Sequence, residues 1–271
     1  MDIKQLLDKS KITPNLLKDQ FFLTDEKILD QIVEFAELKR RDVVLEIGAG
    51  TGNLTSRLAE KAGKVISFEI DSRFKTFLSN LPENVEVHYE NAWDFVQMHG
   101  KSRKKKEYNK VVSNLPYSFI EPFLHNLTFL DYDKVIILVP IRFLKKTEKW
   151  GVFGSFFKPE VILEVSKDNF YPIPRSNSVL VNLVKLPDSI ETKNIGRYLR
   201  QCMYQHEDRL VKNSLMEGLI KYYNIVYSKG LTKNEARQMI ADKKMDQKLL
   251  NRHPDSSEIY ELVEEEFNRP L

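Results

Sequence analysis

The run Val43-Val44-Leu45-Glu46-Ile47 passes without a break into Gly48-Ala49-Gly50-Thr51-Gly52, after which Leu54, Leu58 and Ala59 recur at helical spacing. Strand, glycine loop and helix together form the nucleotide-binding unit of a doubly wound sheet. Glycine is needed where backbone turns tightly or approaches a ligand closely. The third glycine stands four positions after the first. The dinucleotide fingerprint G-x-G-x-x-G spaces them differently, which disfavours a dinucleotide oxidoreductase. A glycine-rich turn without a ligand is the competing reading, and the strand–loop–helix context argues against it.

Further strands follow in the order such a sheet needs. Lys64 to Ile70 reads as the second, with Glu69 at its C-terminal edge. An acidic residue about 20 positions after the glycine loop grips a ribose in such folds, and a carboxylate accepts from both ribose hydroxyls. An exposed strand-end charge is the alternative for Glu69; Asp71 beside it reads as a helix cap. Val85 to Glu90 is the third strand, and Asn91-Ala92 after it falls where this architecture meets an adenine ring. His88 alternates within that strand and reads as structural.

Lys110-Val111-Val112-Ser113 is the fourth strand and stops at Asn114-Leu115-Pro116-Tyr117, because proline has no N–H to give a ladder. A polar amide, a kinked backbone and an aromatic ring thus stand at the strand edge where open α/β sheets bind ligands. The amide carbonyl and nearby backbone carbonyls accept from an amino group, and the ring stacks on the flat group carrying it. An exocyclic amine on a planar ring suits this tetrapeptide; a strand-ending turn with a surface tyrosine is the bland alternative. Lys134 to Pro140, Val161 to Val165 and Val179 to Leu186 complete the strands. Phe170-Tyr171-Pro172-Ile173-Pro174 is a rigid extended segment. It presents Phe170 either to a substrate or as a core plug.

Residues 1–19 read as a loosely held arm, and Asp25 to Leu38 as an amphipathic helix with Thr24 as its N-cap. Beyond Pro187-Asp188-Ser189 the pattern is helical only, over 195–203, 210–222, 234–240 and 257–267. The fold expected is therefore α/β: a doubly wound Rossmann-like sheet over 1–187 and a small helical domain over 188–271. A single cysteine, Cys202, excludes an intrachain disulfide and reads as a packing residue. The N-terminus lacks the apolar core of a signal peptide, and no apolar run approaches a membrane span, so a cytoplasmic protein with no membrane partner is expected. No spaced Cys/His cluster suggests a metal. The net charge of +3 is small, but Lys101-Ser102-Arg103-Lys104-Lys105-Lys106 carries five positive charges in six residues, a solvated loop or a phosphate contact.

In combination the motifs resemble the rRNA adenine N6,N6-dimethyltransferase family, the small-subunit dimethyladenosine transferases, over nearly the whole chain. Gln20-Phe21-Phe22-Leu23 resembles the family's Q-[NH]-F-L, and Leu45 to Thr55 its cofactor loop, whose compact glycine spacing is typical of S-adenosylmethionine-dependent methyltransferases. Asn114-Leu115-Pro116-Tyr117 falls on the catalytic N-[LI]-P-Y, and Phe170 to Ser178 on F-x-P-x-P-x-x-x-S. Gln205-His206 with Arg209 and Lys212 resembles the basic opening of the family's C-terminal domain.

The resemblance implies that S-adenosylmethionine is held by Gln20, Phe21, Leu23, Gly48, Gly50, Gly52, Glu69, Asn91, Ala92 and Asn114. It implies that an extruded adenine is sandwiched between Tyr117 and Phe170, with its N6 amine on Asn114 and the Leu115 carbonyl beside Pro116. Ribosomal RNA in the small subunit is the implied partner, with the protein a monomer and no metal involved. Three departures bear on cofactor affinity and target: Phe21 for Asn or His, Asn91 for Asp, and a short segment after Pro140 without the customary acidic residue. The alternatives are a large-subunit rRNA methyltransferase of the erythromycin-resistance type and a non-catalytic RNA-binding assembly or transcription factor on the same fold. A DNA or protein amide methyltransferase is disfavoured by the Phe170 motif.

Overall fold

The computed structural model describes residues 3–101, 107–128, 132–147, 153–243 and 245–269. Of the basic run 101–106, residues 102–106 lie outside the described residues. In chain order the first elements are α1 (Ile3–Lys9), β1 (Phe22–Leu23), α2 (Glu26–Phe35), β2 (Val43–Ile47), α3 (Asn53–Lys61), β3 (Lys64–Phe68), α4 (Lys75–Leu78) and β4 (Val85–His88). They continue with α5 (Ala92–Lys101), β5 (Lys110–Asn114), α6 (Ile120–Leu127), β6 (Lys134–Pro140) and α7 (Ile141–Thr147). Then come β7 (Phe157–Val165), β8 (Phe170–Tyr171), β9 (Ser178–Lys185), α8 (Ile195–Gln205), α9 (Val211–Tyr227), α10 (Lys233–Asp242), α11 (Gln247–Leu250) and α12 (Ser257–Asn268).

Among the described residues seven strands form one sheet in the order β4-β3-β2-β5-β6-β9-β7. The pairs β3–β4, β2–β3, β2–β5 and β5–β6 are parallel, and β9 runs antiparallel to β6. Val135 to Pro140 are all buried, as an apolar strand covered on both faces must be. The strand order reverses between β2 and β5, so the loops leaving those two strands open one crevice at their C-terminal ends. Leu29, Ile32 and Val33 of α2 bury beside Leu54 and Leu58 of α3 and Val44, Val112, Ile136 and Leu180 of the sheet. Each such side chain contributes about 1.5–3 kcal/mol by leaving water.

Two local expectations are corrected. Residues 3–19 are not a loose arm: Ile3, Leu7 and Ile12 are buried with Phe22, Ala49, Phe74 and Leu78. The N-cap of α2 is Asp25, whose carboxylate accepts from Lys27 and Ile28 N–H, whereas Thr24 turns to the Asn169 carbonyl. That bond prolongs a two-stranded ladder of β1 and β8, in which Phe22 faces Tyr171 and Leu23 faces Phe170.

The chain divides into two compact units, Met1–Leu144 with Pro159–Val184, and Lys145–Lys158 with Lys185–Leu271. The second therefore takes in a segment that the single cut at 187/188 leaves with the sheet. Within it Phe153 stacks on Phe157, Phe153 and Phe156 meet Tyr204 edge-on, and Gln201 Nε2 donates to the Ser155 carbonyl at 2.7 Å. Its helices bury Leu199, Met203, Leu215, Leu219, Ile240 and Val263 together. Arg200 of α8 and Glu264 of α12 pair at 2.6 Å. Cys202 is buried, as its helical pattern suggests. No helix among the described residues is long and apolar enough to cross a membrane.

Candidate active site

The glycine loop leaves the buried end of β2 with Gly48, Gly50 and Gly52 at φ +86°, +54° and +82°. Gly48 and Ala49 N–H both reach the Phe68 carbonyl, at 2.8 and 3.1 Å, which binds the loop to the end of β3. At Gly50 a Cβ would stand 2.9 Å from the Phe22 ring, so a side chain there is excluded by space as well as by φ. Gly52 opens α3 and lies behind the loop, near Leu78.

Glu69 follows β3 and is 6% exposed. Its Oε2 accepts from Gly50 N–H and its Oε1 from Asp71 N–H, both at 2.8 Å. Burial raises its pKa, against these two bonds. Its carboxylate fixes the glycine loop and keeps lone pairs for a further donor. Asp71 caps the turn after β3, as its position suggested; the Arg73 guanidinium holds its carboxyl far below the usual range. Gln20 Nε2 donates to Asp71 Oδ2 at 2.9 Å.

Glu46, within β2, is a functional candidate that the strand pattern concealed. It is 1% exposed and accepts from the Thr55 and Ser67 hydroxyls, each at 2.7 Å. Burial pushes its carboxyl up to about 7, those two bonds oppose the rise, and Glu69 adds to it. A charged residue in an otherwise apolar strand was the available signal.

Across the crevice β5 ends at Asn114. Its Nδ2 donates to the Phe21 carbonyl at 3.1 Å. Leu115 is 1% exposed, and Pro116 lies 3.4 Å from where a Cβ on Gly48 would stand, so the tetrapeptide and the glycine loop adjoin. The Tyr117 ring stacks on Phe21, with centroids 5.5 Å apart and planes 24° apart. The Arg142 guanidinium lies 5.5 Å from the same ring centre. Burial raises the Tyr117 phenol, and Ser178 and Arg142 oppose the rise. The phenol oxygen has no hydrogen bond of normal geometry among the described residues. Asp19 Oδ2 accepts from Ser118 N–H at 2.8 Å, a second tie between the 13–24 segment and this turn.

These groups converge on one cleft of about 310 Å³. Gln20, Phe21, Leu23, Gly48, Gly50 and Glu69 line it. So do Asn91, Ala92, Asn114, Leu115, Pro116 and Tyr117. Asn91 Oδ1 accepts from Trp93 N–H at 3.0 Å, capping α5, while Ala92 is buried. Sequence reasoning missed Leu17, Lys18, Asp19 and Glu46 on the lining.

Of the two readings for Phe170, its burial supports the core plug over the substrate face that the resemblance implies. It is 3% exposed and packs in the apolar core, opposite Leu23 of the lining but not itself among the lining residues. The ring beside Tyr117 is Phe21. In the two-residue β1–β8 ladder Phe170 is buried opposite Leu23, and Phe21, directly before β1, stands beside the tyrosine. In the second unit Arg209 pairs with Glu217, and Lys212 donates to Asn251 Oδ1 at 2.6 Å. Among the described residues no group of three His, Cys, Asp or Glu is placed to hold a metal ion.

The sequence profile described as "Ribosomal RNA adenine dimethylase" matches residues 17–238. A protein of Pyrococcus abyssi named "Probable ribosomal RNA small subunit methyltransferase A" is 31% identical over 226 residues, 79% of this chain and 80% of that protein. "Ribosomal RNA small subunit methyltransferase A" of Thermotoga neapolitana is 31% identical over 78% of this chain and 83% of its own. Among solved structures, a dimethyladenosine transferase from Plasmodium falciparum superposes with TM-score 0.59 at 22% identity, covering 91% of this chain and 97% of that one. The 23S rRNA methyltransferase ErmE does so with TM-score 0.55 at 21% identity, over 92% and 100%. At those identities the superpositions establish the Rossmann-like methyltransferase fold.

Proposed function

The chain belongs to the ribosomal RNA adenine dimethylase family, and from that premise we propose that it transfers methyl groups from S-adenosylmethionine to N6 of adenines in small-subunit ribosomal RNA. The observation that carries the reading is the Asn114 amide, anchored through its nitrogen on the Phe21 carbonyl beside the glycine loop. The small-subunit target is supported by the names of the relatives.

The cleft suits the cofactor on two grounds. Its backbone is stripped of Cβ atoms where Gly48 and Gly50 line it, and Asp19, Glu69 and Glu90 set carboxylates around a molecule that carries a sulfonium and an ammonium. Bound there, the cofactor supplies an electrophilic methyl group. Gly48 and Gly50 would give it backbone room, Glu69 would accept from its ribose, and Asn91 and Ala92 would border its adenine. Gln20 acts on the site through Asp71, and Leu23 and Gly52 support the walls.

With the Asn114 nitrogen committed to Phe21, the carbonyl oxygen of that amide is free to accept from an incoming amine. It and the Leu115 carbonyl orient the N6 lone pair, and Tyr117 takes the face of the base, which has to leave its stack to reach them. Acceleration comes from positioning and from the acceptors that meet the charge developing on nitrogen. The proton passes to water after nitrogen has become positive, so no strong base is required. Incubating the protein with cofactor labelled in the methyl group and with unmethylated small and large ribosomal subunits in parallel tests this. Label confined to the small subunit supports the reading; label confined to the large subunit overturns it.

A further inference from the structure

We propose that Arg142 binds a backbone phosphate of the RNA strand at the nucleotide whose base stacks on Tyr117. The inference rests on the functional reading above and adds a residue to it.

Arg142 opens α7 directly after β6 ends at Pro140. In the sheet β6 lies beside β5, with Leu138 opposite Asn114, so Arg142 issues from the same edge as the catalytic tetrapeptide. Its guanidinium lies 5.5 Å from the Tyr117 ring centre, while the side chain is exposed. Among the described residues it makes no ion pair and no hydrogen bond, and its partner is Tyr117, through the ring and through the charge it sets near the phenol. A guanidinium carries five N–H donors in a fork that matches phosphate. Held against an aromatic face, it loses less freedom on binding than a free side chain would.

The charge around the cleft creates the need for it. Asp19, Glu69 and Glu90 line the cleft, and Lys18 is the one Lys or Arg among the described lining residues. Asp19 sits next to the tyrosine, bonded to Ser118 N–H. Such a lining attracts a sulfonium and repels a strand with a phosphate at every nucleotide. A cation beside Tyr117 offsets that repulsion at the point where the base must enter. The competing account is that Arg142 only braces the ring, a contact that involves no phosphate.

Arg142→Gln and Arg142→Lys separate the two. Binding of labelled, unmethylated small-subunit rRNA is measured between 50 and 200 mM salt (roughly the range over which phosphate contacts are lost), alongside cofactor titration. Loss of one charged phosphate contact predicts roughly tenfold weaker RNA binding for Arg142→Gln. It also predicts a log K against log salt slope shallower by about 0.7. Cofactor affinity stays at the wild-type value. Arg142→Lys keeps the slope and recovers part of the affinity, since it retains the charge and loses the fork. An unchanged slope in Arg142→Gln, with or without weaker binding, overturns the proposal. Wild-type protein that neither binds nor methylates this RNA brings down the functional reading and the Arg142 assignment together; failure confined to the variants brings down the assignment alone.

Discussion

Asn114 Nδ2 lies 3.1 Å from the Phe21 carbonyl oxygen, a bond between residues 93 apart in sequence. It ties the end of β5 to the residue before β1, and it decides which end of the amide faces the cleft. Phe21 thus serves the site twice, through its carbonyl on Asn114 and through its ring on Tyr117. The side chain at position 21 differs from the family's Asn or His, but the carbonyl is common to any residue there.

Removing the amide removes the acceptor. Asn114→Ala is expected to lower the single-turnover methylation rate about 100- to 1000-fold, with a much smaller effect on cofactor affinity. Asn114→Asp keeps an acceptor but loses the donor to Phe21, and its rate is expected between the two. Rapid-quench measurement at saturating cofactor checks both.

Glu69 accepts from Gly50 and Asp71 N–H at once. Glu69→Gln sets an NH2 group against one of those donors, at a cost of about 1–3 kcal/mol. Cofactor affinity is then expected to fall roughly 10- to 100-fold. Because burial raises the carboxyl above its ordinary range, wild-type affinity is expected to decline on acidification earlier than a free carboxylate would titrate. Calorimetric titration across pH reads both effects.

Glu46 makes stability depend on pH with a defined sign. Its carboxyl is pushed up to about 7 in the folded chain against 4.5 unfolded. Between those values the folded state holds a proton that the unfolded state has released, so stability is full below the lower value and falls as pH rises through the upper one. The decline is on the order of 1–3 kcal/mol. Glu46→Gln is expected to flatten it, which urea unfolding at acidic and alkaline ends of that window measures.

Phe170 is expected to behave as a core residue. Phe170→Ala leaves a cavity worth about 3–5 kcal/mol. Phe170→Leu is expected to lose under about 1.5 kcal/mol and to keep methyl transfer near wild type. A Leu variant with native melting temperature and lost activity would restore the ring to the substrate.

The parts of the fold legible in sequence are those fixed by local patterning. Val43–Ile47 with its glycines, Lys110–Asn114 before Pro116, and the apolar Lys134–Pro140 each carry their own signal. So do Glu69 and Asn114, which sit at strand ends. What was not legible depends on distant partners. The seven-residue helix Ile3–Lys9 is held because Ile3 and Leu7 find Phe22 and Phe74. The inward face of Phe170 follows from pairing with Leu23, 147 positions earlier in the chain. Arg142 acquires meaning only when β6 is laid beside β5.

The most direct measurement is the nucleoside composition of small-subunit rRNA after incubation of unmethylated subunits with the protein and S-adenosylmethionine, compared with Asn114→Ala. N6,N6-dimethyladenosine formed by wild type and absent with the variant is the predicted result. Methylation at another atom, or dimethyladenosine formed equally by Asn114→Ala, would contradict the role assigned to Asn114 at the centre of this site.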